Sequence, residues 1–183
     1  MTIYLIRHGK TEANEKHLYC GSTDLPLSET GKAELQELHY DIKNAHFITS
    51  GMKRTNETLQ ILFGHVPYKV DPRFREVDFG IFEMHSYECL KDTQEYQTWL
   101  SGDNEANIPP KGESGVQMRE RVLEAFSELQ EDTCIITHGG VIAAIMEHLF
   151  PEENKNLYQW QPKPGCGYRI FEDVYICISQ YQI

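Results

Sequence analysis

No run in this 183-residue chain approaches the roughly 20 consecutive apolar residues that a membrane-crossing helix requires. Its start also lacks the charged region, apolar block and small-residue cleavage site of a secretion signal. A cytoplasmic location without a membrane partner is therefore expected. Cysteine is sparse and scattered: Cys20, Cys89, Cys134, Cys166 and Cys177 are odd in number and include no Cys-x-x-Cys step. That argues against a disulfide framework or a zinc ribbon and fits a reducing compartment. No cluster has metal-ligand spacing, so neither a metal nor a cofactor is expected. Basic residues are outnumbered, seventeen against twenty-eight acidic, for a formal net charge of −11. Such a chain repels nucleic acid and anionic membranes. An anionic small molecule would have to be drawn by a local basic focus. Repeats, low-complexity tracts and a convincing linker are also missing, so residues 1–183 read as one domain, long enough for a substantial core.

What remains is an alternation of strands and helices. Apolar Ile3-Tyr4-Leu5-Ile6 predicts a strand over 2–7 that is covered on both faces. Residues 9–27 read as a loop. A helix follows from Ser28 to about Asn44, with Ala33, Leu35, Leu38 and Ile42 as its apolar stripe. Gly31-Lys32 there is no phosphate-binding loop, because Pro26 and Ala33 stand where that motif needs glycine and Ser or Thr. Further strands are predicted over 46–50, 68–70 and 133–137, with helices over 52–63, 114–130 and 140–150. The amphipathic helix at 114–130 turns Val116, Met118, Val122, Ala125, Phe126 and Leu129 inward. Residues 72–85 read as an irregular loop, 86–100 as helical turns, and 167–172 with 174–181 as an antiparallel terminal pair. The pattern implies an α/β fold with a largely parallel central sheet and helices on both faces.

The first strand runs into Arg7-His8-Gly9, at the end where an open α/β sheet places ligand-handling groups. A guanidinium can fork onto two phosphate oxygens while the neighbouring imidazole attacks phosphorus. The bland alternative is a strand end carrying two solvated polar residues. The strand at 133–137 ends likewise in His138-Gly139, so two distant histidines could meet over one crevice.

Arg7-His8-Gly9 with Thr11 and Asn14 resembles the signature of the histidine phosphatase superfamily, the phosphoglycerate-mutase-like proteins. Leu25–Gly31, Ser50–Thr58 around Arg54, Arg75–Gly80 around Glu76, Gly112-Glu113-Ser114 and Thr137–Gly140 resemble further landmarks of that family, in its order. The resemblance implies a phosphoglycerate-mutase-like fold and a phosphohistidine formed on His8. It implies Arg7 and Arg54 as the phosphoryl clamp, His138 as a further donor, and Glu76 as proton donor and then base. By the same resemblance Asn14, Cys20, Gly21 and Gly139 join Arg7, Arg54 and His138 in binding a small phosphorylated substrate. A main-chain carbonyl is expected to hold the other nitrogen of His8. The structural alternative for Glu76 is an ion pair with Arg73 or Arg75, and for His138 a core histidine bonded to backbone.

Departures from the family separate its activities. Gly140 stands where the mutases carry Asn, Val77-Asp78-Phe79-Gly80 where they carry a Tyr-Gly motif, and residues 85–115 offer only Lys91 and Lys111 as cations. These favour a phosphatase over a mutase cycle that must hold two anionic groups. Leu18–Asp24 resembles the α-ribazole phosphatases within the family, which act in cobalamin nucleotide-loop assembly. A broad-specificity phosphatase, a phosphoglycerate mutase and a non-catalytic phosphate-binding module are the alternatives, and the chain is expected to be a monomer or homodimer. Met84 replaces the glycine of the family's Trp-Glu-Gly, leaving open whether it narrows or lines the pocket.

Overall fold

β1 (Thr2–Arg7) sends Ile3 and Leu5 into one buried cluster and Ile6 into another. Both faces of the strand are covered, and its apolar residues therefore run without polar alternation. The computed structural model describes residues 1–179. With β2 (His46–Thr49), β3 (Tyr68–Val70), β4 (Thr133–Thr137), β5 (Gly167–Phe171) and β6 (Val174–Ile178), β1 builds one sheet in the order β3-β2-β4-β1-β5-β6. The β3-β2, β2-β4 and β4-β1 pairings are parallel; β1-β5 and β5-β6 are antiparallel. The sheet is thus mostly parallel with an antiparallel edge, and the fold is α/β as expected. Residues 180 and 181 of the expected last strand lie outside the described residues.

The helices are α1 (Glu12–Glu15), α2 (Glu29–Gln36), α3 (Lys53–Phe63), α4 (Tyr87–Leu90), α5 (Gln94–Leu100), α6 (Gly115–Ser127), α7 (Gly139–Leu149) and α8 (Leu157–Trp160). On one face, Met118, Val122 and Ala125 of α6 and Val141, Ile142 and Ile145 of α7 pack with Ile3, Leu5, Ile48 and Ile135. On the other, Leu59 of α3 joins Ile6, Cys134 and Ile136 together with Tyr40 and Ile42.

Three expectations are corrected. α2 stops at Gln36 instead of about residue 44. Beyond it Tyr40 and Ile42 are buried while His39, Asp41 and Lys43 face solvent, a period of two that an extended segment produces and a helix does not. The Tyr40 hydroxyl also donates to the Gly165 carbonyl at 2.8 Å, fixing that segment to the stretch just before β5. Ala33 of the supposed stripe is exposed, and Val116 is 41% exposed at the start of α6. The loop at 9–27 contains α1, which a capping box opens: Thr11 Oγ1 accepts from Asn14 N, and Asn14 Oδ1 accepts from Thr11 N. α8, over a stretch left unassigned, starts the same way with Asn156 and Gln159.

Candidate active site

In the parallel pairing of β1 with β4, Arg7 stands opposite Thr137. His8 and His138 each follow by one residue, and their ring centroids lie 5.2 Å apart. Both imidazoles are buried, His138 completely. His8 Nδ1 is 2.7 Å from the Gly9 carbonyl. A carbonyl only accepts, so Nδ1 carries the proton and Nε2 keeps its lone pair. Burial holds the His8 pKa well below the ordinary 6.5, and the Arg54 and Arg7 guanidiniums push it the same way, against the Gly9 hydrogen bond. The ring is neutral at physiological pH, and its Nε2 lone pair is unprotonated.

Arg54, in the first turn of α3, is 1% exposed. Its Nη1 donates to the Thr23 carbonyl at 2.8 Å, its Nη2 to the Gly21 carbonyl at 2.7 Å, and its Nε to His138 Nδ1 at 3.3 Å. A guanidinium has five N–H groups, so two remain for an incoming anion. Arg7 Nη1 donates to the Pro162 carbonyl at 2.8 Å. Arg7 Nε has no partner, and among the described residues it is the one buried side-chain nitrogen or oxygen in that state. Such a group costs free energy unless a ligand satisfies it. Burial lowers both guanidinium pKa values, and the Glu76 carboxylate raises both, so Glu76 is an electrostatic neighbour of each.

Glu76 is held through its own oxygens. Oε2 accepts from Gly140 N at 2.8 Å and Oε1 from Val77 N at 3.0 Å. A Cβ at position 140 would collide with Glu76 Oε1, so the glycine there is what admits the carboxylate. Arg73 pairs instead with Asp71 and Glu128, and Arg75 Nε donates to the Ser50 carbonyl. The ion pair weighed for Glu76 is not formed with either.

His138 is held by two side chains. Its Nδ1 accepts from Arg54 and its Nε2 lies 2.9 Å from Ser50 Oγ, so both nitrogens are engaged by side chains. It is not the backbone-bonded core histidine of the alternative reading either; it steadies Arg54. Burial lowers its pKa well below 6.5, with Arg54 next in effect. Gly21 is engaged too: its carbonyl holds Arg54 and its N–H goes to Glu83, so neither backbone group is left for a substrate. Gly139 permits close packing, since a Cβ there would lie 2.8 Å from Gln161 Oε1 and 3.1 Å from Arg7 Cζ. Asn14 and Cys20 line the cleft beside Arg7 and Glu76, with the Asn14 oxygen spent on its cap.

That cleft has a volume of about 920 Å³. Tyr19, Phe79, Tyr87, Tyr96, Trp99 and Tyr158 give it an aromatic wall. Arg119 is its second arginine besides Arg7, and it is paired with Glu147. Neither Lys91 nor Lys111 lines it, so the two cations singled out in the sequence are not the relevant ones. Met84 does not line it either and sits at φ 61°, in the left-handed region.

Sequence reasoning missed Glu83, whose carboxylate gathers the N–H groups of Gly21, Ser22, Thr23 and Phe79 at 2.9–3.2 Å and the Thr23 hydroxyl at 2.6 Å. It thereby fixes the loop whose carbonyls hold Arg54. Ser50 was missed as well, although its place at the end of β2, beside β4, was the available signal.

The sequence model of the histidine phosphatase superfamily (branch 1) matches residues 3–172. An adenosylcobalamin/alpha-ribazole phosphatase of Salmonella typhimurium is 30% identical over 179 residues, covering 91% of this chain and 88% of that protein. The protein of the same name from Escherichia coli is 28% identical over 178 residues, covering 91% and 87%. A phosphoglycerate mutase structure from Thermus thermophilus superposes with a TM-score of 0.78 at 26% identity, covering 100% of this chain and 99% of that one.

Proposed function

Because this chain belongs to branch 1 of the histidine phosphatase superfamily, we propose that it is a phosphomonoesterase working through a phosphohistidine, with α-ribazole 5′-phosphate as substrate. The observation that carries this reading is a neutral His8 under the charge of two guanidiniums, the buried one of Arg54 and the half-buried one of Arg7, whose Nε is buried and unpartnered. His8 Nε2 attacks phosphorus, forming a P–N bond as the P–O ester bond breaks. Arg7 Nε and the two spare N–H groups of Arg54 hold the equatorial oxygens, where charge develops in the transition state. Glu76 gives its proton to the departing alkoxide, then takes one from water as that water cleaves the P–N bond and frees phosphate. Side chains supply the nucleophile, the cations and the proton carrier, so the cycle calls for no metal.

The leaving group occupies the aromatic cleft. A wall of tyrosines, Trp99 and Phe79 suits a flat, uncharged ring better than a second phosphate. With Arg119 paired to Glu147, a mutase cycle lacks a free cation for its other anionic group. The names of the relatives point to the benzimidazole nucleoside of cobalamin assembly, which meets that description.

Phosphate release from α-ribazole 5′-phosphate, 3-phosphoglycerate and p-nitrophenyl phosphate, each with and without chelator, tests the reading. Turnover of the first, unaffected by chelator and exceeding that of the second, is expected. Loss of activity in chelator, or failure to hydrolyse any of the three, would overturn it. Glu76→Gln is expected to lower turnover of alkyl phosphates by about 10²–10⁴-fold and to spare p-nitrophenyl phosphate, whose leaving group needs no proton.

A further inference from the structure

Arg121 lies on α6, and no motif in the sequence marks it. Its Nη1 donates to the carbonyls of Arg73 and Arg75, both at 2.7 Å. Its Nη2 donates to the Glu76 carbonyl at 3.0 Å and to Glu113 Oε2 at 2.7 Å, and its Nε to Glu113 Oε1 at 2.7 Å. These are all five N–H groups of a guanidinium, so none is free for a substrate. Three of them converge on the short backbone segment that ends at Glu76. That segment belongs to no strand or α-helix; the 3₁₀ turn at Pro72–Phe74 supplies only its first residues. Its carbonyls would face one another unneutralised without a fork able to reach all three. Glu113 completes the unit by matching the charge and fixing the plane of the fork. Its own N–H donates to the Asp78 carbonyl at 2.8 Å, on the far side of Glu76.

We propose that Arg121, oriented by Glu113, is a positioning residue for proton transfer through Glu76. The arginine fixes the backbone of Glu76 while Gly140 N fixes its carboxylate, and together they set where the proton is delivered. Lysine keeps the charge but is a point donor, which cannot span three carbonyls and a carboxylate in one plane. This proposal rests on Glu76 being the proton carrier.

The test compares Arg121→Lys, Glu113→Gln, Glu76→Gln and the Arg121→Lys/Glu76→Gln double variant on 2-phenylethyl phosphate and p-nitrophenyl phosphate. Arg121→Lys is expected to lower kcat on the alkyl ester by about tenfold or more while changing it by less than about threefold on the nitrophenyl ester, with KM little altered. Added to Glu76→Gln, it should cost nothing further on the alkyl ester, because the two act through one step. Equal losses on both esters, or full additivity in the double variant, would overturn the positioning role. If Glu76→Gln itself shows the ester dependence and Arg121→Lys does not, only the positioning role fails. If Glu76→Gln harms both esters alike, the proton-carrier reading fails first. Should Arg121→Lys show no thermal transition, Glu113→Gln is judged by the same two criteria, since it loosens the fork without removing the arginine.

Discussion

His8 owes its chemistry to what surrounds it more than to its own side chain. Water is excluded, two guanidiniums stand close, and the Gly9 carbonyl claims one nitrogen. Both buried imidazoles bind a proton less readily in the folded chain than in the unfolded one, where 6.5 is the ordinary value. Below that pH the unfolded chain holds more protons, so stability falls as pH drops and is recovered above about 6.5. In an NMR titration from about pH 7.5 to 5.5, the imidazole signals of His8 and His138 should stay in place. A His8 signal that titrates near 6.5 would contradict the neutral nucleophile. Met84 poses a different question at this scale. A side chain in the left-handed region costs roughly 1–2 kcal/mol, and glycine recovers that less an entropic 0.5–1 kcal/mol. Met84→Gly should therefore raise stability by about 0.5–1 kcal/mol in urea unfolding, with kcat unchanged because the residue lies off the cleft.

Among the elements, those that carry a strong local signal were legible in the sequence. β1 and β4 carry the apolar runs Ile3–Ile6 and Cys134–Ile136 and lead into His-Gly, and the helix at 114–130 has its period written in Met118, Val122 and Ala125. Where two periods compete, the reading failed. Leu35, Leu38 and Ile42 fit a helix, yet Tyr40 and Ile42 fit an extended segment, and the Tyr40–Gly165 hydrogen bond that decides between them spans distant parts of the chain. The histidines, arginines and Glu76 were legible as motifs, whereas Glu83 and Arg121 act on backbone groups, and Ser50 through its hydroxyl on His138, that only the fold brings near. Caps belong to this scale too. Ser114 opens α6, accepting from Gln117 N while the Gln117 side chain accepts from Ser114 N. Ser114→Ala should lower stability by about 1 kcal/mol, read as a shift of the urea midpoint at constant slope.

Across the whole molecule, a net charge of −11 surrounds a cleft whose unpaired cation is Arg7, with the charge of Arg54 acting beside it on His8. Glu105, Glu113 and Glu147 also line the cleft, and Arg119 is already paired. The field admits one phosphate at the guanidiniums and resists another at the rim. A second phosphate on the leaving group should lower kcat/KM by about tenfold or more, and added salt should narrow the gap between mono- and bisphosphorylated esters as screening shortens the reach of the carboxylates. A gap that ignores ionic strength would place the discrimination in shape instead.

The lateral pairing of β1 with β4 also bears on how the protein comes into being. His8 and His138 lie far apart along the polypeptide, so a nascent fragment that ends before His138 lacks the imidazole that steadies Arg54 and should not turn over an ester, however well its early strands have formed. During renaturation, hydrolysis should return only with the closing of this long-range contact, trailing the recovery of helical signal and never leading it. Turnover in this protein doubles as a clock for the completion of its own folding.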